Sequence, residues 1–430
     1  MNKKLNLVYE WIGPNGPITN NRIPTISDLM EASVDYHFPQ IKGDLFQKPH
    51  FHSRILNSRI SPTYKLPDEV FLYELNWTNF HYRDKFHNFH NSDGLFDNNQ
   101  IHFNVLERIR NKTAYFLVTL FYEGYMDDEF LNHLSDYFIS KGLPLTQVIY
   151  LSNCYNGTEV YEDYCRRNHK LPEIQMEYFP VFRIDKCNVG PAIKNSLILK
   201  YQPGPRKKTF LCFNRRYNDH RLMLYLAMVQ YGLINQCYYS MDKTQPEANR
   251  SFVENCKYLL TRFSDMELTS EDVLAADKLL PLVLDNPNFS RYPMEDSVDP
   301  VQHLYNDSLI NIVTETYFFN KIIHITEKTY KPIAFMQPFI LLGAAGSLQH
   351  VKDMGFKTFG EFWDESYDLE KDDKLRFKMI MNTIASIASW PDHVKIDFTY
   401  AVKNIVDYNA AHLNTMQDIE IDAFLEKYGI

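Results

Sequence analysis

Apolar residues fall along the chain in short runs separated by stretches of helical period. The clearest lies near residue 310. Residues 310–313, apolar apart from Asn311, read as a buried strand. Thr326 is a predicted N-cap, Glu327 and Lys328 fill the first turn of the helix it starts, and residues 338–342 form a second strand closed by Gly343. A strand, helix and strand of this size make a parallel crossover. The same order occurs upstream, with a strand over 209–213, a helix from about Asp219 and a further strand over 236–241. In the first half, 5–11 is strand-like and runs into a Gly-Pro-Asn-Gly-Pro turn. A strand over 114–121, a helix over 127–141 ended by Gly142 and a strand over 147–152 give another crossover, and 176–182 is the last strand of that half. Residues 40–100, rich in His, Asn, Phe and Pro without a clear period, predict irregular segments. From Asp372 onward the pattern is helical.

This alternation predicts an α/β protein with two doubly wound halves. A length of 430 residues supports two domains. The expected division is 1–200, 201–385 and a helical segment, 386–430, that packs back on the first domain, with residues 201–205 as the linker. In doubly wound sheets ligands sit beyond the carboxyl ends of the strands, where helix N-termini present free N–H groups and positive dipole to phosphate. Lys328 adds a full positive charge at such a start. Arg221, near the start of the upstream helix, and Arg215 and Arg216 in the turn before it, carry guanidinium forks suited to two phosphate oxygens.

Two segments resemble the donor-binding half of the alpha-1,3-fucosyltransferase family. The first runs from Thr314-Glu315-Thr316 to His324-Ile325-Thr326-Glu327-Lys328, and its Thr-Glu-Lys core is the same as the family's. The second, KKTFLCFNRRYNDHRLMLYL from Lys207 to Leu226, is similar to the family's strand, turn and helix that carry one arginine at the helix start. With the helix and strand that follow the first segment, the resemblance covers Lys207 to about Phe359, roughly a third of the chain. The resemblance implies the GT-B arrangement, two Rossmann-like domains facing across a cleft. It also implies a nucleoside-diphosphate sugar as donor substrate, with no other cofactor. Lys328 and Arg221 are then expected at the diphosphate and Glu327 on the sugar or ribose side, with Arg216, Glu315, His324 and Thr326 completing the donor site. His324 stands where the family has Tyr, and Thr316 where it has Asn, so base and sugar preference stay open.

Inverting sugar transfer needs a base for the acceptor hydroxyl and positive charge for the leaving diphosphate. Glu123, after a predicted strand and before Gly124, is the expected catalytic base, with Glu10, Glu173 and Glu177 as alternatives. No metal site is expected, because Asp127-Asp128 and Asp372-Asp373 lie at helix starts, where acidic residues complement the dipole. The histidines at 50, 52, 81, 87 and 90 lack ligand spacing. Six scattered cysteines suggest neither a disulfide framework nor a zinc knuckle.

A net charge of −9 argues against a general nucleic-acid coat, although the aromatic and basic run from Phe80 to His87 could stack on sugar rings or bases. The expected acceptor is a glycan or a hydroxymethylated base of viral DNA, the second because the Gly-poor, Asn- and Phe-rich composition is viral in style. Alternatives are a sugar-nucleotide epimerase of the same fold and a non-catalytic glycan- or nucleic-acid-binding protein. No apolar run approaches the ~20 residues of a membrane span and no signal peptide is seen, so a cytoplasmic protein without membrane insertion is expected.

Overall fold

The computed structural model describes residues 6–9, 59–62, 71–76, 81–83, 89–91, 103–120, 124, 126–180, 200–214, 218–243, 251–262, 269–284, 299–415 and 427. The chain divides into two compact units, residues 1–185 with 417–430 and residues 186–416. Each is built on a parallel sheet, so the protein is α/β with Rossmann-like strand and helix alternation.

The first unit contains β1 (Asn6–Tyr9), β2 (Arg59–Pro62), β3 (Phe71–Asn76), β4 (His81–Arg83), β5 (Phe89–Asn91), α1 (Phe103–Arg110), β6 (Ala114–Leu120), α2 (Asp128–Ser140), β7 (Val148–Ser152), α3 (Gly157–Arg167) and β8 (Gln175–Tyr178). Its six-stranded sheet has the order β2-β1-β3-β6-β7-β8 with every pairing parallel, while β4 and β5 form a separate antiparallel pair. All five residues of β7 are buried, as expected for a strand covered on both faces. Asp127 caps α2 by accepting the Phe130 N–H at 2.9 Å, and Gly142 just beyond the helix holds φ +63°, a conformation open to glycine.

Two features correct the sequence reading. Residues 40–100 contain strands, and β3 pairs with both β1 and β6 in the middle of the sheet. Its sequence, FLYELN, carries Glu74 and Asn76 and shows no clean period; pairing with neighbours distant in sequence makes it a strand. Helix α3, rich in charge, was also not anticipated; it buries Tyr161, Tyr164 and Cys165 along one stripe.

The second unit contains β9 (Lys208–Phe213), α4 (Asp219–Gln230), β10 (Cys237–Ser240), α5 (Phe252–Arg262), α6 (Ser270–Leu279), α7 (Asp299–Asp307), β11 (Ser308–Thr314), α8 (Glu327–Ala334), β12 (Phe339–Leu342), α9 (Ser347–Asp353), α10 (Asp373–Ala388), α11 (Asp392–Ala401) and α12 (Lys403–Thr415). The strand order is β10-β9-β11-β12, again all parallel. Every residue of β11 is buried, and α4 buries eight of its residues, from His220 to Met228, because it lies deep in the unit.

Residues 201–205 are bound into this unit rather than forming a free linker. The Gly204 N–H donates to Thr399 Oγ1 at 2.8 Å, and the Arg206 guanidinium lies 5.4 Å from the centre of the Tyr201 ring. Helix α12 is held beside the end of α9: Asn409 exchanges hydrogen bonds with the Lys357 backbone at 2.8 Å, and a His412 ring nitrogen lies 2.8 Å from Met354 O. Among the described residues, no helix is long and apolar enough to cross a membrane.

Strand order also marks where a ligand belongs. From β9 the chain first adds β10 on one side and later β11 on the other, so winding reverses between β9 and β11. In open parallel sheets the crevice beyond the carboxyl ends at such a reversal is the usual binding place.

Candidate functional site

At this reversal the chain brings together residues far apart in sequence. Asn214 follows β9, is fully buried, and donates to Tyr239 Oη at 3.0 Å; the Thr314 hydroxyl at the end of β11 donates to its side-chain oxygen. In the first turn of α4, a His220 ring nitrogen lies 2.9 Å from Glu315 O, and Arg221 Nη2 donates to Thr314 O at 3.2 Å across 93 positions of sequence. The start of α4 is thereby fastened to the carboxyl end of β11.

The start of α8 is fastened to the same point by Glu315. This carboxylate is 1% exposed and accepts from the Thr326 N–H at 3.0 Å, the Thr326 hydroxyl at 2.6 Å and the Thr329 hydroxyl at 2.6 Å. A buried carboxylate is tolerated only when so satisfied. Thr326 remains the N-cap of α8, with its hydroxyl 3.4 Å from the Lys328 N–H.

The cations sit on this frame. Lys328 Nζ donates to Thr326 Oγ1 at 3.1 Å and to Glu327 Oε1 at 3.2 Å, which uses two of an ammonium's three N–H donors. Both side chains of this ion pair are partly exposed, at 29% and 22%. Arg221 is half-buried. Burial lowers its pKa, opposed by the charges of Glu315 and Glu327. For Glu327 burial pushes the carboxyl upward, but Lys328 and Lys331 outweigh it and hold it down at about 2. Burial, with the positive charge of Arg221 and smaller contributions from Lys328 and Arg376, depresses His220 to about 3. His220 is therefore a neutral spacer at neutral pH, stacked 5.6 Å from the Phe318 ring.

Arg376, in the first turn of α10, is almost wholly buried; it pairs with Asp373, donates to Glu370 O at 2.9 Å and to Phe318 O, and lies 4.4 Å over the Phe318 ring. It fixes the loop between Glu315 and His324 from below.

The chain matches no family model and no curated protein sequence. The fucosyltransferase resemblance thus rests on its two segments. Those segments meet in space, because Arg221 from one contacts the strand end that opens the other.

Of the residues expected at the donor site, Arg221, Thr326, Glu327 and Lys328 gather at one edge of the sheet. Glu315 belongs to its wall, since its carboxylate is consumed by α8 and positions the helix start. His324 is also buried, edge-on to Tyr317 at 5.6 Å. Arg215 and Arg216 lie outside the described residues, as does Glu123. The sequence reading missed His220, Asn214, Thr329 and Arg376. The signal available for His220 was its place beside Arg221 at a helix start, whereas nothing local marks Arg376.

Among the alternative bases, Glu10 lies outside the described residues, and Glu173 is exposed between α3 and β8. Glu177, on β8, pairs with Lys427 at 2.6 Å and lines a small hollow of about 10 Å³ at the carboxyl ends of β7 and β8, with Ser152, Cys154 and Tyr178. The Cys154 thiol there is fully buried and pushed far up by burial, which leaves it protonated and unreactive. Asp127 and Asp372 cap α2 and α10, Asp128 pairs with Arg167, and Asp373 pairs with Arg376.

Proposed function

We propose that the protein is a glycosyltransferase of the GT-B type, with Arg221, Lys328 and the N-terminus of α8 holding the diphosphate of a nucleoside-diphosphate sugar. The observation that carries this reading is the convergence of Arg221 and the Thr326-Glu327-Lys328 turn at the reversal point between β9 and β11. A guanidinium with a fork of donors, an ammonium with one donor left over and a helix dipole suit a diphosphate. Glu327, held ionised, is available to accept from a sugar or ribose hydroxyl.

In the reaction proposed, the acceptor oxygen attacks the anomeric carbon as the bond from that carbon to the diphosphate oxygen breaks. The acceptor proton passes to a carboxylate of the first unit, for which Glu123 is proposed. The electron pair leaves on the diphosphate, where Arg221 and Lys328 stabilise the growing charge. Attack from the face opposite the leaving group inverts the anomeric centre. The acceptor is a glycan, or a hydroxymethylated base of viral DNA, and the reaction takes place in the cytoplasm.

A thermal-shift screen over UDP-, GDP-, CMP- and dTDP-sugars identifies the donor. The stabilising compound is then incubated with the protein alone. Slow release of free sugar and nucleoside diphosphate, persisting in EDTA, is the expected result. Epimerised sugar nucleotide without release would make the protein an epimerase, and binding without any conversion would make it a binding protein.

A further inference from the structure

At the end of α10 remote from the anion site there is a hollow of about 290 Å³. The two places are separated along the helix. Arg376, in its first turn, touches the loop after Glu315, whereas Ala388 at its last turn shares the Lys395 ammonium with Thr209, near the start of β9. The hollow follows α10 from Met379, one turn beyond Arg376, to Trp390 past the helix end, and none of its lining residues belongs to the anion site.

Its two walls differ in chemistry. One, from residues 362–367 and Trp390, is aromatic: the rings of Phe362, Trp363 and Trp390 lie 5.0, 5.9 and 5.3 Å from the Phe398 ring, which is buried and fixes all three. Phe362 and Trp390 are half-exposed, while Trp363 is buried. The other wall is the outer face of α10, where Asn382, Thr383 and Ser386 stand within two turns, flanked by the apolar Met379 and Ile387. Among the described residues Asp364 is the only charged group lining the hollow, and no Lys or Arg does. Hydrogen bonds from the Ser366 N–H at 2.9 Å and the Ser366 hydroxyl at 2.8 Å keep its carboxylate ionised.

We infer that this hollow is a binding site for a neutral sugar ring, separate from the anion site. A pyranose has the same two-sided character as the cavity. Its C–H face packs on flat aromatic rings, and its hydroxyls exchange hydrogen bonds with amide, hydroxyl and carboxylate groups. The absence of any lining cation and the presence of Asp364 disfavour phosphate and acidic sugars. The volume, at the low end of the ~300–1,000 Å³ usual for small-molecule clefts, suits a single ring. Because the aromatic rings are already locked around Phe398, little ordering is needed on binding. The inference does not depend on what the anion site does, and it gives the chain a means of holding a glycan away from any reacting centre.

Intrinsic fluorescence tests it directly, since Trp363 and Trp390 are two of the four tryptophans in the chain. The full chain is titrated with the methyl glycosides of glucose, galactose and mannose up to about 50 mM, and with tetramethylammonium chloride as a cationic control. At least one glycoside is expected to give a saturable change with Kd of about 1–10 mM. Trp390→Ala and Asn382→Ala should each weaken it at least about fivefold while nucleoside-diphosphate affinity stays unchanged. Asn382 is exposed on a helix, so its replacement tests the site without endangering the fold. The proposal is overturned if no glycoside gives a saturable response, if both variants bind as tightly as the parent chain, or if only the ammonium ion responds, which would make the hollow a cation cage.

Discussion

The carboxyl edge of the sheet in the second unit is charged and tightly tied, whereas that of the first unit, where described, is nearly neutral. In the second, Arg221, Lys328 and Glu327 stand on a frame made by Glu315, which accepts three hydrogen bonds from Thr326 and Thr329. In the first, the hollow beyond β7 and β8 is lined by Ser152, Cys154 and Tyr178 with Glu177 as its charged member, paired to Lys427. Two parallel sheets of the same construction thus differ in what their strand ends carry. Charge that must meet a diphosphate has to be fixed in place beforehand, and fixing it requires buried partners. A surface that receives a neutral hydroxyl needs no such frame. In the proposed reading, the second unit holds the anion and the first receives the acceptor.

The largest effect expected from breaking this division is on rate. Glu123→Gln keeps size and hydrogen bonding but cannot take a proton, and should lower turnover by about 10²–10⁴-fold with nucleotide affinity nearly intact. Normal turnover would pass the role to Glu10, Glu173 or Glu177. Loss of binding as well as rate would place Glu123 in the fold or at the donor.

The next effect is on stability. Glu315→Ala strands three donors and removes a charge facing Arg221, so denaturant unfolding should show a loss of about 3 kcal/mol, with Glu315→Gln losing less. A loss within ~0.5 kcal/mol would mean that Glu315 does not hold the start of α8.

Single removal of a cation is expected to be somewhat milder. Arg221→Ala or Lys328→Ala should cost about 1.5–3 kcal/mol of nucleoside-diphosphate binding, at least about tenfold by calorimetry. Stability should change little for Lys328, whose partners are both half-exposed or served by other groups.

The smallest effect concerns pH. Glu327 is held at about 2 in the folded chain, below its ordinary value of 4.5, so its ionised form favours folding. That contribution is complete above about pH 4.5 and is lost as the pH falls toward about 2. Because the pair is partly exposed, it should amount to only about 1 kcal/mol. Unfolding curves of Glu327→Gln and the parent chain should converge over that window; an undiminished difference at pH 2 would contradict the assignment.

Much of the second unit was legible in the sequence because its elements announce themselves locally. Buried strands β11 and β12 are short apolar runs, and Thr326 marks a helix start by its chemistry. The site followed from these, since Arg221 and Lys328 each fall at a helix start after a strand. Its frame did not. Glu315 reads in sequence as one more polar residue after a strand, and only folding brings Thr326 and Thr329 onto it from the next helix. Arg376 was equally silent, because a charged residue in a C-terminal helix is ordinarily solvated, and burial against Phe318 depends on the loop it supports. In the first unit β3 was hidden for the same reason: its strand character comes from β1 and β6 on either side.

The central claim, that the cation pair of the second unit recognises a diphosphate, is tested most directly by calorimetric comparison of a nucleoside diphosphate with its parent nucleoside. The parent chain should prefer the diphosphate by at least about a hundredfold, and the doubly substituted chain, Arg221→Ala with Lys328→Ala, should lose most of that preference while still binding the nucleoside. A preference that survives both substitutions would contradict the account, because the phosphates would then be held elsewhere.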